Sequence, residues 1–156
     1  MIRKRTTFLT TLAVCVVVPV GAHAAIKCTI TTVGVAFGLY DVFSSAPPYS
    51  AGNVTIRCLG LGAGIDPINV ALSAGGSGSF QSRRLLHESG TDRMSYNLYL
   101  DAGHTQIWGD GTGGTLKYAS ISNSRAVTVT IFGRIPPGQD VSAGTYSDTI
   151  VAIINF

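Results

Sequence analysis

The chain has 156 residues, with 11 Lys and Arg against 8 Asp and Glu, 12% charged residues overall and 19 glycines. Three of the eleven bases, Arg3, Lys4 and Arg5, lie ahead of an uncharged apolar run from Phe8 to Val20; without them eight bases face eight acids, which excludes a basic nucleic-acid surface on composition. So little charge with so much glycine also excludes a disordered chain or a coiled coil.

In chain order, the first element is a leader. Basic residues, a short apolar run broken by Pro19 and Gly21, and then Ala22-His23-Ala24 form the pattern of a cleavable secretory signal over residues 1–24. The run is too short for a membrane-spanning helix of about 20 apolar residues, so no membrane insertion is expected after cleavage. Cys15 lies in the leader, leaving Cys28 and Cys58 in the exported part. In an oxidising compartment this pair reads as a disulfide closing a loop of about 30 residues.

Strand-like runs follow, each ended by turn residues. Cys28 to Phe37 alternates, but the apolar face slips near Gly34, as at a bulge or a change of sheet. Ser44, Ser45, Pro47 and Pro48 mark a loop, because proline lacks the amide proton a central strand needs. Gly52 to Cys58 and Ile68 to Ser73 are the next two strands, the first with Val54, Ile56 and Cys58 facing inward. A glycine and serine turn over residues 75–79 leads to Arg83–Leu86, then to Met94–Leu100 and a hairpin into His104–Trp108. Residues 109–114 read as a loop, and Ala126–Ile135 and Thr145–Phe156 close the domain.

Seven or more short strands, with no apolar spacing of 3.6 sustained over three turns, give an all-β fold. An immunoglobulin-like antiparallel β-sandwich is expected for residues 25–156, with a closed barrel as the alternative. The last strand runs to the end of the sequence with no strand after it, which leaves an open edge that natural sheets normally cover. Such an edge suits an incomplete sandwich completed by a donor strand from another chain.

Catalytic and metal chemistry find little support. His87 and His104 stand in turns without metal-ligand spacing, and the glycine-rich loop after Trp108 lacks both the Lys-Ser or Lys-Thr of a phosphate loop and the spaced acids of a calcium loop. No catalytic residue, cofactor or metal is expected.

Several short motifs occur in order: Phe37-Gly38-x-Tyr40, Arg83-x-Leu85, Leu98-Tyr99-x-Asp101, Trp108-Gly109-Asp110-Gly111, Gly133-Arg134-Ile135-Pro136 and Gly144-x-Tyr146-x-Asp148. Together they resemble the spore coat protein U domain family, which includes subunits of archaic chaperone-usher pili of the Csu type. The resemblance runs from about Cys28 to Phe156. It implies an exported subunit of a surface fibre or coat, with a periplasmic chaperone, an outer-membrane usher and neighbouring pilus subunits as partners through donor-strand complementation, and with no enzyme activity. It also implies that Cys28 and Cys58 pair, and that Phe37, Gly38, Tyr40, Trp108, Gly109, Asp110, Gly133, Arg134, Gly144, Tyr146 and Asp148 are structural. Polymerising members of the family carry an N-terminal donor extension, whereas cleavage after Ala24 leaves only Ala25-Ile26-Lys27 before Cys28. A terminal subunit at the tip, or a secreted surface or coat protein that does not polymerise head to tail, is therefore expected. The alternative is a free secreted module that binds carbohydrate or a surface through Tyr49, Tyr99, Trp108 and Tyr118.

Overall fold

The computed structural model describes residues 27–46, 48–59, 68–120 and 126–155. The leader at 1–24, Cys15, Pro47 and Phe156 lie outside the described residues.

Among the described residues, nine strands form two antiparallel sheets: β1 (Lys27–Val33), β2 (Tyr49–Leu59), β3 (Ile68–Leu72), β4 (Arg83–His87), β5 (Arg93–Tyr99), β6 (Tyr118–Ser120), β7 (Val127–Arg134), β8 (Tyr146–Ser147) and β9 (Ala152–Asn155). The larger sheet has the order β1-β2-β7-β5-β4-β8 and the smaller β6-β3-β9. The fold is an immunoglobulin-like all-β sandwich. Its core lies where alternating side chains of the two sheets meet, Val54, Ile56, Met94, Tyr96, Leu98, Val129 and Ile131 from one side and Ile68, Val70 and Leu72 from the other.

Alternation explains most of these strands, and local chemistry explains where they stop. Along β2 the buried positions are Val54, Ile56 and Cys58, and Cys58 sits opposite Cys28 in the β1–β2 register, so the Cys28–Cys58 disulfide ties the outer strand to its neighbour. Pairing of β1 ends at Val33. There Gly52 brings the β2 backbone so close that a Cβ would collide with the Val33 carbonyl. The chain then leaves the sheet edge at Gly34, the point where the apolar face slips, and Val35 and Phe37 turn inward.

Two elements differ from the strands read in the sequence. Residues 104–108 form no named strand: Asp101 binds the amides of Thr105 and Gln106 and holds a turn, leaving only isolated bridges Tyr99 to Ile107 and Trp108 to Leu116. Thr145–Phe156 is not one strand either. Tyr146 and Ser147 pair with β4 in the larger sheet, whereas Ala152–Asn155 pairs with β3 in the smaller one. The chain crosses between sheets over Asp148–Val151. That crossing is pinned by Gly76 N–H to Asp148 Oδ1 (2.9 Å), Ser73 N–H to the Val151 carbonyl (2.9 Å) and Val151 N–H to Ser73 Oγ (2.9 Å).

Candidate functional site

Two extended segments face each other across an opening in the sandwich. On one side Val35–Tyr40 belongs to no strand, and Ser50 Oγ donates to the Ala36 carbonyl (2.6 Å). On the other side lie the crossover at Asp148–Val151 and the outer edge of β9, the last strand in the order β6-β3-β9. Between them runs a groove made of two adjoining cavities of about 340 and 820 Å³, both bordered by Val35, Phe37, Leu85 and Asp148. The floor of the smaller one is the core itself: Val54, Leu72, Tyr96, Leu98 and Ile131.

The groove exposes what a finished sandwich buries. Val33 at its rim is 58% exposed, and Leu39 and Phe43 beyond Gly38 are 99% and 94% exposed. Two open edges flanking an apolar floor form a template for strand pairing. The arrangement offers backbone donors and acceptors at the rim and apolar contacts beneath.

Phe37 is seated on the floor by shape. Its ring meets Tyr96 edge-on at 5.9 Å, and both it and Val35 lie against the bare Cα of Gly133, where an added Cβ would come within 2.6 Å of Val35 Cγ1. Tyr96 is buried, and its hydroxyl donates to Asp148 Oδ2 at 2.8 Å. Burial first, and then that bond and the nearby carboxylate, push the Tyr96 phenol far above its ordinary pKa, so it stays a neutral donor.

The other residues singled out in the sequence divide among three places. Tyr40 closes one end of the groove wall, accepting from Gln139 N–H (2.8 Å) and donating to the Pro136 carbonyl (3.1 Å), after Gly38 turns the chain with φ +73°. Tyr146 donates to the Ser142 carbonyl (2.8 Å) and meets His87 edge-on, and a Cβ on Gly144 would collide with the same imidazole. Trp108 is fully buried and donates from Nε1 to the Val70 carbonyl at 2.9 Å. Gly109 follows in close contact with Thr115, and Asp110 caps the turn by accepting from Thr112 N–H (2.9 Å). Arg134 lies on the opposite face of the larger sheet, among the outward positions of β7.

Burial removes Trp108 from the four aromatic residues proposed to stack on a ligand, and Tyr118 packs toward it at 6.2 Å. Among the described residues, no three His, Cys, Asp or Glu side chains gather to hold a metal ion.

The residue the sequence reading undervalued is Arg83. It is wholly buried, and its guanidinium donates to the Ser73 carbonyl from Nε (3.1 Å) and Nη2 (2.8 Å), to Asn97 Oδ1 (2.7 Å) and to the Trp108 carbonyl (2.7 Å). Burial lowers its pKa, against the opposing charge of Asp148. Arg83 thereby fastens the end of β3, strand β5 and the Trp108 turn, which together set the floor of the groove. The signal was available in the alternation, since Arg83 shares a face with Leu85.

Comparison with known proteins follows this geometry. The chain matches the Spore Coat Protein U domain over residues 13–153. It is 33% identical to Protein U of Myxococcus xanthus over 127 residues, covering 77% of this chain and 70% of that protein. Its fold is similar to that of a chain in the crystal structure of the CsuC-CsuE chaperone-tip adhesion subunit pre-assembly complex, from the archaic chaperone-usher Csu pili of Acinetobacter baumannii. That similarity has a TM-score of 0.59 at 23% identity, and covers 85% of this chain and 40% of the solved one. The chain thus spans about two fifths of the length of that solved chain.

Proposed function

The chain belongs to the Spore Coat Protein U domain family, and from that premise we propose that it is an exported structural subunit of a surface fibre or coat whose groove accepts a β-strand from another chain. The single observation that carries this reading is the groove between Val35–Tyr40 and β9, open along both edges and floored by core side chains. A strand laid there meets unpaired backbone at the rim and buries alternate side chains against Val54, Leu98 and Ile131.

The donor has to be an extended apolar segment of about 8 to 12 residues, judged from ordinary strand lengths. A periplasmic chaperone supplies it before assembly and a neighbouring subunit afterwards, with an outer-membrane usher as the site of exchange. No step in this role requires bond chemistry, so the subunit acts by assembly and not as an enzyme.

A terminal or tip position belongs to the same proposal. Cleavage after Ala24 leaves Ala25-Ile26-Lys27 ahead of Cys28, and three residues span about 10 Å at most. N-terminal sequencing of the exported protein tests that boundary: a mature start near Ala25 is expected, and an earlier start with a longer apolar extension overturns the terminal assignment.

The test of strand acceptance is complementation by peptide. Synthetic peptides from the N-terminal extensions of subunits encoded beside this chain, and from the strand of the adjacent chaperone, are mixed with purified protein. At least one is expected to form a complex that survives electrophoresis without boiling and raises the melting temperature. A protein fully stable alone and unaffected by every peptide would contradict the reading.

A further inference from the structure

Away from the groove, the outer face of the larger sheet carries a second arrangement, which does not depend on strand acceptance. Tyr49 on β2 stands opposite Arg134 on β7, and Tyr99 on β5 stands opposite Phe132, so three rings and a guanidinium share one patch. The turn after β5 folds back and lays His104 over them. Its imidazole is 4.7 Å from the Tyr49 ring at an interplanar angle of 32°, and 5.2 Å from the Tyr99 ring at 83°.

His104 is held there against backbone preference. It has φ +57°, and no other non-glycine residue among those described has a positive φ. Asp101 maintains the turn: its carbonyl accepts His104 N–H (3.1 Å), and its carboxylate accepts Gln106 N–H (2.7 Å), Thr105 N–H (3.0 Å) and the Thr105 hydroxyl (2.9 Å). Strain of this kind persists where surroundings over-determine it, and it concentrates at ligand clamps and active sites. The Leu98-Tyr99-x-Asp101 motif therefore builds something that the groove does not use.

Arg134 supplies the second observation. Its Nε is buried with no hydrogen-bond partner, and among the described residues no carboxylate pairs with the guanidinium. A buried donor left unmade is uncommon enough to need a reason. The guanidinium stands on the outward side of β7, where its terminal nitrogens can receive an acceptor at the edge of the rings.

From this geometry we infer that the Tyr49, Tyr99, His104 and Arg134 patch binds an acidic sugar unit of an extracellular polysaccharide. The C–H face of a pyranose ring stacks on Tyr49, which is 57% exposed. The carboxylate of a uronate then takes the planar guanidinium of Arg134 as a two-bonded partner. The patch comprises only a few side chains, whereas a protein partner engages about 20 to 30 residues on each side; its size suits one saccharide. A neutral sugar would leave the cation unused.

The test is calorimetric titration of the mature protein with oligogalacturonate, with neutral dextran and dextran sulfate as comparisons. Oligogalacturonate is expected to bind and neutral dextran to give no signal. Arg134→Gln and Tyr49→Ala should each weaken oligogalacturonate binding at least tenfold. His104→Gly, in which glycine keeps the left-handed backbone, should weaken it several-fold with the melting temperature retained. Absence of oligogalacturonate binding by the folded protein would overturn the inference. So would equal binding of dextran sulfate that ignores Tyr49→Ala, which is attraction by charge alone, or unchanged affinity in all three variants.

Discussion

A guanidinium with no exposed surface, placed among carbonyl oxygens and an amide, is a costly element that must hold something in place. In this protein Arg83 meets Ser73, Asn97 and Trp108 at once. Replacing it by Met keeps much of the apolar stem but strands three buried acceptors, and the expected loss is about 3 kcal/mol in chemical denaturation. A loss under about 1 kcal/mol would show that water replaces the guanidinium. Trp108 acts on the same point from the other side, and Trp108→Ala should cost about 3 to 5 kcal/mol through the cavity it leaves and the lost bond to Val70. Acid sensitivity is set differently for Asp101. The amide of Gln106 holds its carboxyl below the ordinary 3.8 against the opposing effect of desolvation, and the hydroxyl and amide of Thr105 add to the lowering. With the folded-state pKa below the unfolded one, its contribution is complete above about 3.8 and is lost only as the pH falls through the lower folded value. A side-chain NMR titration should find the midpoint of Asp101 below that of an unfolded peptide, and a midpoint at or above 3.8 would deny the turn its anchor.

Among the elements, strands with period-two patterning were legible and transitions between sheets were not. Met94, Tyr96 and Leu98 alternate without interruption, and β5 lies where they place it. Tyr146 to Phe156 alternates just as well, yet the chain changes sheets at Asp148, because the polar contacts fixing the crossover come from Ser73 and Gly76, far away in sequence. Alternation records which side of the chain faces the core, and both halves of that segment face the same core from different sheets. Strand β6 escaped notice because three residues are too few to show a period. The slip at Gly34, in contrast, was readable, since an apolar face cannot change sides within one strand. Of the site, Phe37, Tyr40 and Asp148 stand in motifs and Arg83 in the alternation of its strand, whereas Tyr96 acquires its role only from packing against Phe37 and Asp148. The close approach at Gly133 gives an element-scale prediction. Gly133→Ala should displace Val35 and Phe37 from the floor and lower stability by about 1 to 3 kcal/mol, as overpacking does. The Cys28–Cys58 link holds the outer strand at the other end of the same stretch. Its removal by paired serine substitution should cost about 3 kcal/mol on the chain-entropy account of a 30-residue loop.

At the scale of the molecule, the sheets of the described residues are unequal, six strands facing three, and β9 stands at an edge of the smaller one. Exposed apolar side chains border the opening as well: Val33 at its rim, with Leu39 and Phe43 beyond Gly38. On the proposed reading the opening receives a strand from another chain, while the outer face with Tyr49 and His104 stays clear of it, so that assembly and the inferred ligand contact would occupy opposite sides of one sheet. The most direct test is amide hydrogen exchange on the exported protein, free and bound to its donor strand. The account predicts fast exchange over Val35–Tyr40 and along β9 in the free protein, with strong protection of both segments in the complex and little change in β2 or β7. Slow exchange at those two segments in the isolated chain, unchanged by any donor, would contradict it.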